Sequence, residues 1–180
     1  SSQGRLTPLV QENVAFSVLQ KTKDGRVMLC MKQSYQEDRN LWVCNGQGRN
    51  MKKITEVNPQ QKQYSWGTAQ VVEWTNYDKN KSYPTIVSFY ETHSSDLHVH
   101  PVPGLSQAMI DIPTYVSKGY IVFQPDVYIE IGKPGESAYH AVVSGVRSLI
   151  DRGIADSSRI GLQGHSWSGF LAARIVIHQD

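Results

Sequence analysis

The sequence predicts an α/β protein with a smaller all-β region ahead of it, and three observations carry that prediction. Up to about residue 70, short apolar runs are separated by turn residues, the grammar of antiparallel strands. Beyond that point, continuous apolar runs alternate with helical segments, the grammar of a parallel sheet with helices on its faces. The last of these strands and the last helix are joined by a glycine-flanked serine.

Composition narrows the class. The chain has 180 residues, 39% of them hydrophobic, with four Trp and nine Tyr, enough to bury a sizeable core. The 18 basic and 16 acidic residues leave a formal charge of +2 and form no run of one sign. That balance gives no electrostatic reason to expect a nucleic-acid or membrane partner. Apolar stretches such as Tyr120 to Phe123 are far too short to span a bilayer. The polar start, Ser1-Ser2-Gln3-Gly4, has no signal-peptide character, and cellular location stays open.

The first strand is read over Val14 to Leu19. Lys23-Asp24-Gly25-Arg26 is a hairpin turn, because Asp-Gly readily takes the positive φ angles a tight turn demands. Val27 to Met31 returns, Leu41 to Cys44 follows, and a fourth strand lies near Lys53-Ile54-Thr55. Four such strands match one blade of a β-propeller, and equally any β-meander. No second copy recurs at a fixed period, so a complete propeller is not expected. Cys30 and Cys44 fall on neighbouring strands without metal-ligand spacing. They read as two buried small hydrophobes, a cross-strand disulfide or a reactive thiol.

In the second half, Pro84 to Tyr90 reads as a strand buried on both faces. A short helix is expected over Ile112 to Gly119 and a second strand over Tyr120 to Phe123, ended by Gln124-Pro125-Asp126. The clearest helix is Glu136 to Arg152. Ala138, Ala141, Val142, Gly145, Val146, Leu149 and Ile150 line one face at a 3.6-residue period, and Gly153 marks the stop. Arg159 to Gln163 is the third strand, and Phe170 to Ile177 begins another helix.

Between those last two elements stands Gly164-His165-Ser166-Trp167-Ser168-Gly169. A strand, a sharp turn holding a serine, then a helix is the setting of a nucleophile elbow, which implies an α/β-hydrolase sheet. The turn is strained so that the serine hydroxyl projects above the sheet. The positions two before and two after must be small, because strand and helix approach closely there. Gly164 meets the first demand; Ser168 replaces the usual glycine at the second, with Gly169 behind it. The N–H of Trp167, at the start of the following helix, is a natural donor to a tetrahedral oxyanion. No metal or cofactor is called for by this chemistry.

The segment from Asp156 to Gly169 resembles the nucleophile region of the prolyl oligopeptidase family of serine peptidases. Gly132 to Tyr139 resembles the loop and helix start that precede it there, and Tyr83 to Tyr90 resembles the early strand of that family's catalytic domain. Tyr64-Ser65-Trp66 and Val71-Val72-Glu73-Trp74 resemble the passage from the last propeller blade into that domain. The resemblance implies a partial α/β-hydrolase sheet over residues 71–180, preceded by a β-propeller-like blade over residues 1–70. It implies peptide substrates, an acyl-enzyme at Ser166, and an oxyanion hole shared by the Trp167 N–H and the hydroxyl of Tyr90. A plain alternative for Tyr90 is an aromatic side chain packing at the end of the sheet.

Two features depart from the family. Its triad runs Ser, Asp, His, whereas the chain ends at Asp180, and His93, His98, His100, His140 and His165 all precede the serine. His178 lies three helical turns past Ser166, too far to take its proton. The expectation is therefore a fragment, inactive alone, whose acid and histidine lie in a missing C-terminal part of the same protein. His93, His98 and His100 read as solvated loop residues rather than a metal site. The other departure is at Asp78-Lys79, where a strand and loop of the family are absent or a segment has been lost. Three functions remain in view: a prolyl oligopeptidase-type peptidase, an esterase or acylaminoacyl hydrolase on the same sheet, and a non-catalytic binding module.

Overall fold

Alternating side chains and the Asp-Gly turn build the first sheet. Strands β1 (Ala15–Lys21), β2 (Val27–Ser34), β3 (Glu37–Asn45) and β4 (Lys52–Lys53) pair antiparallel in chain order. At the first turn Gly25 takes φ 70°, and Asp24 Oδ1 accepts from Thr22 Oγ1 at 2.6 Å and from Arg26 N at 3.1 Å. These residues belong to the first of two compact units in the computed structural model, which describes residues 8–69, 82–104 and 110–178. The unit holds residues 1–69 with 98–100; the second holds 70–97 with 101–180. The expected boundary at residues 70 and 71, the Val71 to Trp74 passage and the Asp78-Lys79 junction lie outside the described residues.

The strands differ from the apolar runs in length. β2 and β3 extend into polar sequence, because ladder hydrogen bonding does not depend on side-chain polarity. β4 is shorter than expected. Leu41 N donates to the Thr55 hydroxyl at 2.8 Å, so a side chain has taken the acceptor role that a ladder carbonyl would have filled. Asn40, 1% exposed, secures the same corner: its Oδ1 accepts from Thr55 Oγ1 at 3.1 Å and from Val57 N at 2.9 Å.

Met28, Cys30 and Cys44 form the core of this unit, with Phe16, Trp42 and Met51 packed against it. Cys30 lies opposite Trp42 and Cys44 opposite Met28, so the two cysteines are diagonal neighbours on one face. Both are free thiols, with Sγ atoms 3.5 Å apart. Burial, reinforced by the Cys44 thiol, pushes Cys30 up to about 11, which removes it as a reactive thiolate at neutral pH.

One expectation fails here. His100 is not a solvated loop residue but is buried, with its ring 4.7 Å from that of Trp66. Its backbone N–H donates to Gln33 Oε1 at 3.2 Å, and its ring Nδ1 lies 3.0 Å from the carbonyl oxygen of Tyr35. The apolar ring face and the two polar contacts together outweigh hydration of the loop.

The second unit is an α/β layer. In chain order it comprises β5 (Tyr83–Ser88), α1 (Ile112–Ser117), β6 (Ile121–Phe123), α2 (Pro134–Asp151), β7 (Ala155–Gln163) and α3 (Trp167–Ile177). The sheet order is β6-β5-β7, all parallel. α2 starts at Pro134 rather than Glu136, since proline is preorganised for the first helical turn. Its apolar stripe faces the sheet: Ala138 and Val142 are buried in a core with Val87, Phe89, Val127 and Leu171, and Ala141 and Val146 pack around it. Gly145 lets the helix approach Phe123, whose ring would lie 2.9 Å from a Cβ there.

β7 begins four residues before the apolar run. Tyr83 pairs with Ala155 but Thr85 with Ile160, so the strand bulges between them. Asp156 holds the bulge, accepting from Ser158 Oγ at 2.7 Å, Ser158 N at 2.9 Å and Arg159 Nε at 2.6 Å. These bonds, those from Ser158 foremost, lower its carboxyl to about 2. Among the described residues, no helix is long and apolar enough to cross a membrane. The fold is thus a three-stranded parallel sheet with flanking helices, preceded in the chain by a four-stranded antiparallel sheet.

Candidate active site

The C-terminal ends of three parallel strands supply the site. Ser166 follows β7, Tyr90 follows β5 and Asp126 follows β6. Because β5 lies between its two neighbours, Tyr90 leaves the sheet on the strand adjacent to the serine, with Ser88, two residues before it, paired to Gln163, three residues before Ser166. The strand ends of an open α/β sheet are where such folds bind ligands.

Ser166 has φ 54° and ψ −119°, outside the regions that L-residues ordinarily occupy. It joins the end of β7 to α3, which starts at Trp167, three residues earlier than the sequence pattern suggests. The helix closes on the serine itself, as Phe170 N donates to the Ser166 carbonyl at 3.2 Å. The side chain is exposed.

The small residues around it are explained by contact. A Cβ on Gly164 would lie 2.3 Å from the Ser168 carbonyl oxygen, closer than any real contact. A Cβ on Gly169 would come within 3.4 Å of the Gly164 carbonyl oxygen. Ser168 is 1% exposed, and its hydroxyl is engaged twice with His165: it accepts from His165 N and donates to His165 O, each at 2.9 Å. Sequence reasoning treated Ser168 as a tolerated departure from glycine and missed this tie. His165 contributes backbone to the turn while its side chain is exposed.

Trp167 occupies the first position of α3, where a backbone N–H has no intrahelical acceptor. Its ring is 41% exposed and stacks on Phe170 at 5.3 Å between centroids. Tyr90 is 41% exposed, unlike its neighbour Phe89, which is 2% exposed in the core.

Among the described residues, Ser166 Oγ has no hydrogen-bond partner, and no group of three His, Cys, Asp or Glu could hold a metal ion. His178 sits at the far end of α3, about 18 Å away at 1.5 Å per residue, with its ring 4.2 Å from that of Tyr139. His93 Nδ1 lies 3.4 Å from Asp96 Oδ2. A cleft of about 610 Å³ beside α2, lined in part by Asp126, Tyr128, Glu130 and Glu136, does not include Ser166.

No family model and no curated protein matches the sequence. Solved structures do match the fold. Dipeptidyl peptidase 4 of Porphyromonas gingivalis is similar at TM-score 0.62 and 16% identity, over 97% of this chain and 28% of that one. The AtxE2 isopeptidase is similar at TM-score 0.61 and 16% identity, over 86% of this chain and 28% of that one; a variant of it has been solved with Astexin3-dC4 bound. Acylaminoacyl peptidase of Pyrococcus horikoshii is similar at TM-score 0.59 and 14% identity, over 99% of this chain and 31% of that one. All three are peptidases of the prolyl oligopeptidase family, and the chain shares their fold while spanning less than a third of their length.

Proposed function

We propose that this chain carries the nucleophile and oxyanion hole of a prolyl oligopeptidase-type serine peptidase, with residues 1–70 as blade and residues 71–180 as the first part of the catalytic domain. The observation that carries the reading is the backbone of Ser166, positive in φ between a parallel strand and a helix N-terminus. Such strain persists only where surrounding structure enforces it, and it clusters at functional sites.

In the proposed reaction Ser166 Oγ attacks a peptide carbonyl, and its proton passes to a base. The resulting oxyanion accepts from Trp167 N–H and from the Tyr90 hydroxyl, both of which act where charge develops. Collapse transfers the proton to the departing amine and leaves an ester on Ser166, which water hydrolyses by the same steps in reverse order. The base and its orienting acid come from outside these 180 residues, in the parent protein. Likeness to an acylaminoacyl peptidase over 99% of the chain supports a second reading, with blocked amino acids rather than proline at the cleaved bond.

The parent protein should be labelled at Ser166 by a fluorophosphonate probe, and Ser166→Ala should abolish labelling. Labelling that survives the substitution would sink the assignment. Turnover should fall by about 10⁶ in that variant. Paired assays with a prolyl amide and an acetyl-amino-acid amide separate the two specificities, and an unlabelled parent protein would leave the non-catalytic reading.

A further inference from the structure

The geometry points to Asp126 as a positioning residue for the oxyanion hole, holding the segment after Tyr90 so that its hydroxyl stays aimed at the reacting carbonyl. Tyr90 lies just past the end of β5, where no ladder partner fixes its backbone. On one side it is anchored by Phe89 in the core. On the other, the chain is gripped from the β6 side. Asp126 Oδ1 accepts from His93 N at 2.6 Å and from Ser94 N at 3.0 Å, and Val127 N donates to Glu91 O at 2.6 Å. Three hydrogen bonds thus fall within four residues of Tyr90.

The grip is stronger than an ordinary loop contact. The Ser94 hydroxyl and backbone, with the His93 N–H, hold the Asp126 carboxyl below the usual carboxylate range, so it is charged at neutral pH. Hydrogen bonds to a charged acceptor are roughly twice as strong as neutral ones. β6 is in turn paired with β5 through Thr85–Ile121 and Val87–Phe123, which makes the support and the supported strand one body. Tyr90 itself is 41% exposed, whereas its neighbour Phe89 is 2% exposed. A displacement of about 1 Å in a catalytic group is enough to lose on the order of a hundredfold in rate.

This inference rests on Tyr90 being the oxyanion donor, and a double-mutant cycle in the parent enzyme tests the two separately. Asp126→Ala should lower kcat roughly tenfold to a hundredfold, with KM changed less than about twofold. In a Tyr90→Phe background, already slower by about 10²–10³, the same substitution should add less than about twofold. Asp126→Asn keeps a neutral acceptor and should lose about twofold to fivefold, again only when Tyr90 is intact; it carries the cycle should Asp126→Ala not fold. Losses that multiply across the two positions, or a wild-type kcat in Asp126→Ala, would overturn the positioning role alone. A wild-type kcat in Tyr90→Phe would overturn the oxyanion assignment and this role with it.

Discussion

The hydroxyl of Ser168 bridges the backbone of His165, accepting from its N–H and donating to its carbonyl at 2.9 Å each. The bridge spans the turn that contains Ser166. It couples the residue before Ser166 to the first turn of the helix after it. A glycine at position 168 would fit the space but could make neither bond, so the departure from the usual small residue adds a restraint to the turn.

Ser168→Ala should therefore be felt in stability and in chemistry together. It removes both bonds at a site 1% exposed, which costs about 1–3 kcal/mol when a buried polar group loses its partner. Thermal unfolding should show the lower melting temperature, and fluorophosphonate labelling of the parent protein should slow. An unchanged melting temperature and labelling rate would mean that the hydroxyl contributes nothing to the turn.

Gly164→Ala tests the close approach of strand and helix. The added methyl would lie 2.3 Å from the Ser168 carbonyl oxygen, and backbone cannot swing aside as a flexible side chain can. Overpacking of this kind costs roughly 1–3 kcal/mol, or more where backbone must move. The variant should melt lower and lose Ser166 labelling, while Gly104→Ala, with no neighbouring atom within 4 Å of the new Cβ, should match the parent in both. Equal labelling in the two variants would refute the packing argument.

The cysteine pair yields a pH prediction. The Cys30 thiol is raised from 9.0 to about 11 in the folded protein, so between these values the unfolded chain has released a proton that the folded chain keeps. The unfolded state then binds fewer protons than the folded one, and stability falls as pH rises through that window; below pH 9 the contribution is fully present. Chemical denaturation at pH 8, 9.5 and 11 should give a decreasing midpoint, and Cys30→Ala should flatten that part of the decrease. Native thiols should also react slowly with a disulfide reagent at pH 8 and fast once unfolded. Rapid reaction of both native thiols would contradict their burial.

Much of this protein is legible from local pattern. Asp24-Gly25 marked the hairpin, the 3.6-residue stripe from Ala138 to Ile150 marked α2, and Gly164 with Ser166 marked the sharp turn between β7 and α3, because each depends on backbone geometry set within a few residues. Element ends were less legible. α3 starts at Trp167 rather than Phe170 because the strained serine ends the extended segment, and β7 starts at Ala155 because Asp156 stabilises a bulge that no periodicity announces.

What the sequence alone determined is therefore the order of elements, the parallel layer with its serine turn, and the demand for small residues beside that serine. Tertiary structure decided which distant groups meet. His100 reaches Tyr35 across 65 positions, Asp126 reaches His93 across 33, and the Cys30 and Cys44 thiols stop 3.5 Å apart on one face. Periodicity reports which face of an element is buried, but not the register or partner of that face. Those follow only when strands pair and helices settle against them, since a contact between remote residues is fixed by the packing of everything between.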